Sequence, residues 1–276
     1  MNQWGVEWRR AALAGLATSS MLAAFLSLGG CTTTTQSTSH PQSDGIAASV
    51  DSDVRRRARI RLELAANYLQ NGQTAVALEE AAQSINTDPT FADAYHLRGL
   101  IYMQMNDVGQ AEDNLSRAQN MRPNDPDIMQ NLGWLRCQKE QYAQADHLFD
   151  KALATPGYAA RTRTLMSKGV CQARAQQFEQ AEATLLKAYE MDAGNSVVGF
   201  ELATLAFRRG DASRAQFYIR RVNNGNFASA QSLWLGIKIE RALGQQATVR
   251  QLADQLRKRF PDSKEMLAYE RGAFNE

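Results

Sequence analysis

From residue 58 onward, small and apolar residues return at a fixed long interval. The same step of 34 separates Pro89 from Pro123 (123 − 89), Gly99 from Gly133 (133 − 99), Ala77 from Ala111 (111 − 77), and Ala111 from Ala145 (145 − 111). The clearest interval reads ADAYHLRGLIYMQMNDVGQAEDNLSRAQNMRP. In it Tyr95, Gly99 and Tyr102 keep helical spacing, and Ala111, Leu115 and Ala118 do so again. The pattern predicts two antiparallel helices per interval. Such helices approach closely only where small residues meet, so Gly99 and Ala111 are expected to face each other. Tyr95, Tyr102 and Leu115 then fill the surrounding space. Pro123 ends the second helix by removing a backbone donor. One pair alone leaves an apolar side open, so neighbouring pairs must stack on it.

These positions resemble the tetratricopeptide repeat, from here nearly to the end of the chain. The resemblance implies an all-α, right-handed superhelical solenoid of about six helix pairs. Units are expected near 58–91, 92–125, 126–161, 162–195, 196–229 and 230–263, followed by a closing helix within 58–276. One step is longer, at 36 (162 − 126), through an insertion of two around Thr155–Tyr158. Pro261 agrees, since 261 − 123 is 138, or four intervals of 34 plus two. The sixth unit is degenerate, as suits an end.

In tetratricopeptide arrays the first helix of each pair lines the concave side. Carried over, that places Leu62, Ala66 and Leu69 inward, then His96, Leu100 and Met103, then Gln130, Trp134 and Cys137. Met166, Val170, Phe200, Thr204, Phe207 and Trp234 follow. The Lys and Asn residues of members that clamp a terminal carboxylate are missing there. An exposed apolar groove marks a partner site, so an amphipathic helix or extended apolar segment is expected in it. The competing reading has some of these side chains packing on adjacent helices. On the groove reading, Trp134→Ala weakens capture and leaves helix content intact.

The amino terminus follows another pattern. Arg9 and Arg10 precede an apolar run from Ala11 to Leu28, broken by Thr18, Ser19 and Ser20. That layout belongs to an export signal. The run closes on Leu28, Gly29, Gly30 and Cys31, which resembles the bacterial lipobox. The resemblance implies signal removal after Gly30, residues 1–30 being the signal, and fatty acylation (palmitate among the chains) of Cys31. An uncleaved signal anchor is the rival. Thr32, where aspartate commonly marks inner-membrane retention, points to an outer-membrane lipoprotein facing the periplasm. Residues 31–57, rich in Thr and Ser at first, read as a flexible polar tether.

Composition adds little beyond exclusion. The formal net charge is +2 and 22% of residues are charged, so nucleic acid is not an expected partner. No phosphate-cradling glycine loop, nucleophile elbow or HExxH stretch occurs. His40, His96 and His147 stand apart from other ligand-type residues, so neither a metal nor a cofactor is expected, beyond lipid on Cys31. The chain reads as a non-enzyme. Cys137 and Cys171 fall late in consecutive first helices, where a disulfide is reasonable in an oxidising periplasm. Two separate buried thiols remain open beside it.

One narrower resemblance bears on function. The lipobox, the tether and RARIRLELAANYLQNGQTAVALEEAAQSINTDPTFADAYHLRGLIYMQM are similar to the PilW/PilF family of type IV pilus biogenesis proteins. The similarity runs on to RFPDSKE. It implies a pilotin: a lipoprotein that helps secretin subunits reach the outer membrane and assemble there, in support of pili and twitching motility. The expected partners are a secretin subunit and outer-membrane lipid. A periplasmic scaffold for β-barrel insertion or cell-wall synthesis is the alternative.

Overall fold

The structure, a computed structural model, describes residues 43–274. Among them are thirteen helices and no strand. They form two compact units, divided after Met121. The first holds α1 (Ser43–Gln70), α2 (Thr74–Thr87), α3 (Ala92–Gln104) and α4 (Val108–Met121). The second opens with α5 (Pro126–Gln138), α6 (Tyr142–Ala154), α7 (Arg161–Arg174) and α8 (Phe178–Met191). It continues through α9 (Ser196–Arg208), α10 (Ala212–Asn223), α11 (Ala230–Ala242), α12 (Gln246–Arg259) and α13 (Lys264–Glu270). Successive helices pack as antiparallel pairs, and α13 packs on α11 and α12.

Every pair turns in the same way. The residue two past each first helix has positive φ: Gly72, Asn106, Glu140, Gln176, Gly210 and Gly244. Its own N–H and that of the next residue fold back on the helix, as in Gly72 N–H to Leu69 O (3.0 Å) and Gln73 N–H to Tyr68 O (2.9 Å). This left-handed stop satisfies carbonyls that the helix end leaves bare. Glycine takes it freely; Glu140 and Gln176 (φ 60° and 61°) take it against their Cβ.

Inside the pairs, small residues admit large ones. A Cβ on Gly99 would lie 2.7 Å from Leu115 Cγ, and one on Gly169 2.6 Å from Leu185 Cγ. At Gly133 the obstacle is Phe149 Cε1, 2.9 Å away. Gly99 therefore receives Leu115. Ala111 is itself fully buried, one turn earlier on α4.

One departure from the sequence reading concerns the amino-terminal end. The first helix begins at Ser43, inside the stretch expected to be tether. Its continuation is physical: Ala and Arg dominate residues 54–59, and the helix, once nucleated, extends at little cost. Arg55 pairs with Asp88, Arg61 with Glu80 at 2.9 Å, and Ser84 Oγ donates to the Ala58 carbonyl at 2.7 Å. The two-residue insertion sends Tyr158 inward against Met129 and Ala152. Its hydroxyl sits 3.0 Å from Thr164 Oγ1 and donates to Asp127 Oδ1 at 3.3 Å.

Candidate protein-binding surface

The inward positions proposed from the sequence divide by unit. In the first, Leu62, Leu69, Leu100 and Met103 are all half-buried. In the second, Trp134 (3% exposed), Met166, Val170 and Trp234 are buried. That corrects the expectation of an open apolar wall running through these four. Both tryptophans are covered from elsewhere: the Arg174 guanidinium lies over the Trp134 ring, 4.9 Å from its centroid. Trp234 is roofed by Phe274 at 5.3 Å and Tyr269 at 6.4 Å between ring centroids. Phe200 and Phe207 remain half-buried on α9.

Two further inward positions of the second unit are also closed, while Thr204 stays half-buried and donates to the Phe200 carbonyl at 2.8 Å. Gln130 is fully buried on α5, donating through Nε2 to Ser167 Oγ at 3.2 Å. Cys137 and Cys171 form a disulfide between α5 and α7, with Cα atoms 5.7 Å apart. Leu28, Gly29, Gly30 and Cys31 lie outside the described residues.

The electrostatics of the second unit are set by arginines that the sequence reading passed over. Arg208 lies over the Phe178 ring at 3.8 Å and Arg241 over Phe274 at 3.8 Å. Their recurrence after Arg174 at near-repeat steps, 208 − 174 and then 241 − 208, was the available signal. Near Arg174, Glu201 on α9 is held to a pKa of about 6, since burial raises it and the Arg174 charge only partly restores it. Two other carboxylates are neutralised within the fold. Glu182 takes Arg209 at 2.6 Å and Arg214 at 2.7 Å, while the buried Glu240 takes Arg220 at 2.8 Å.

Among the described residues no group of three or more His, Cys, Asp or Glu side chains could hold a metal ion. Nor is any helix there long and apolar enough to cross a membrane. The surface as built offers apolar contact in the first unit and stacked guanidinium cations in the second.

The tetratricopeptide repeat family matches residues 92–125. The crystal structure of PilW, a widely conserved type IV pilus biogenesis factor, superposes with a TM-score of 0.71. It is 28% identical, over 77% of this chain and 97% of that one. The chain has the tetratricopeptide-repeat fold. PilF of Pseudomonas aeruginosa gives a TM-score of 0.72 at 20% identity, over 80% of this chain and 99% of that structure. In sequence, the type IV pilus assembly protein PilF of that organism is 24% identical over 213 residues. The match takes in 77% of this chain and 84% of the relative. The repeats are thus shared with proteins of the type IV pilus system across most of both chains.

Proposed function

We propose that this chain is a non-enzymatic, protein-binding lipoprotein of type IV pilus biogenesis. Lipid on Cys31 anchors it in the outer membrane, facing the periplasm, and it acts as a pilotin for the secretin. One observation carries this reading: the likeness to PilW spans nearly all of that structure and most of this chain. The Leu-Gly-Gly-Cys stretch ending at Cys31 supports the anchor, because several acyl chains hold a protein stably where one does not. The half-buried apolar residues of the first unit, Leu62, Leu69, Leu100 and Met103, are the contact surface for the secretin segment.

Deleting the gene and fractionating the envelope tests the reading. Surface pili should be lost, and the secretin should fail to accumulate as an assembled outer-membrane ring. Cys31→Ser should reproduce the defect while the protein leaves the membrane fraction. Normal piliation in the deletion strain, or general envelope damage in place of a pilus defect, would contradict it.

A further inference from the structure

The last turn of each first helix carries a repeating polar position. In the first three pairs it is Gln70, Gln104 and Gln138, at steps of 34 (104 − 70, 138 − 104). In the next two it is Arg174 and Arg208, the final residues of α7 and α9. Arg241, one residue before the end of α11, completes the series. All three arginines belong to the second unit, and all are exposed.

Each guanidinium is fixed over a ring from a different element: Trp134 of α5, Phe178 of α8 and Phe274 beyond α13. Stacking of this kind holds the planar fork in place while leaving its N–H edges free to donate. None of the three forms an ion pair within the described chain. The carboxylates nearby are engaged elsewhere, Glu182 by Arg209 and Arg214, and Glu240 by Arg220. Glu201, whose charge acts on Arg174, is the exception.

Helices α7, α9 and α11 pack side by side, and neighbouring helix axes lie about 8–10 Å apart. An extended polypeptide in the polyproline II conformation has three residues per turn and advances about 3.1 Å per residue, so every third side chain lies on one face and meets the next helix. We propose that Arg174, Arg208 and Arg241 form a ladder that binds an extended acidic polypeptide segment with carboxylates about three residues apart. Carboxylate and guanidinium match as paired forks. A nucleic acid, with a phosphate charge about every 1.7 Å of duplex, is a poor match to three separated cations. The proposal rests on the protein-binding part of the function given above and not on its assignment to pili.

Fluorescence anisotropy with the full chain tests it. The probe is a labelled glycine–serine peptide carrying glutamate at every third position. Controls carry the same glutamates bunched at one end, or glutamine in their place. The spaced peptide should bind best, and R174Q/R208Q/R241Q should weaken it about tenfold, the sum of three exposed ion pairs. The triple variant installs the residue that the first three pairs use, and unchanged far-UV circular dichroism should show that it folds. Equal binding of spaced and bunched peptides, or undiminished binding by the triple variant, overturns the proposal. So does failure to bind peptide combined with arginine-dependent binding to phosphatidylglycerol vesicles, which would make the ladder a lipid site. The peptide assay reads no pilus phenotype, so the two readings fail separately.

Discussion

Matching positions of the repeat have opposite fates in the two units. Leu100 of α3 and Trp134 of α5 stand one repeat step apart (134 − 100) at the same inward site, yet one is half-buried and the other covered. His96 and Gln130 form a second such pair, half-buried and fully buried respectively. Repeat position sets the direction of a side chain; its cover is set by what a neighbouring helix lays upon it. In the second unit that cover consists of the Arg174 guanidinium, the bridge between Cys137 and Cys171, and the aromatic residues following α12. In the first unit arginines stack on Phe91 and Tyr95 instead, and Leu100 and Met103 stay half-buried.

The largest test of this contrast is Trp134→Ala. Truncating a buried aromatic costs about 3–5 kcal/mol, whereas Leu100→Ala, from a half-buried site, should cost under about 2 kcal/mol. Denaturant titration of both variants measures the difference, and equal losses would remove the distinction between the units. The outcome at Trp134 is therefore a loss of stability, not the selective loss of capture that the sequence alone suggested.

Next in size is the disulfide. Its cysteines have a sequence separation of 34, and closing a loop of that size is worth roughly 3–4 kcal/mol in the loop-entropy account. Reduction should lower the protection of α5–α8 in hydrogen exchange and leave α1–α4 unchanged. Loss of protection spread evenly over both units would count against that localisation.

Smaller effects probe the packing that the two units share. Gly99→Ala and Gly169→Ala press a methyl group onto Leu115 and Leu185 and should each cost about 1–3 kcal/mol. A thermal melt in which either variant matches the parent would mean that the pair contact yields. Glu201→Gln acts in the opposite direction. The folded chain holds the Glu201 proton up to a pH of about 6, against 4.5 in the reference state. Stability is therefore lost as pH rises through that window. At neutral pH the glutamine variant should be more stable by on the order of 1–2 kcal/mol, and the gain should vanish in acid. A gain independent of pH would assign it to another cause.

The architecture was legible because its demands are local. Each close helix crossing needs a small residue, and Gly99, Gly133 and Gly169 announce one at steps of 34 and 36. Cover was not legible, because it comes from far along the chain. Arg174 reaches back to Trp134 from more than a full repeat away (174 − 134), and Phe274 reaches Trp234 over the same separation (274 − 234). Transfer of concave positions from the family treats every repeat alike and misses such differences. The early start of α1 was obscured in another way: the Ser- and Asp-rich stretch ahead of Val54 reads as polar linker, while the helix runs through it from Ser43.

Co-purification of the secretin with the full chain tests the account most directly, comparing the parent with Leu100→Asp/Met103→Asp. Both substitutions lie on the half-buried face of the first unit, so circular dichroism should hold while the secretin is lost from the eluate. Secretin retained at the parent's level would contradict a partner site on that face.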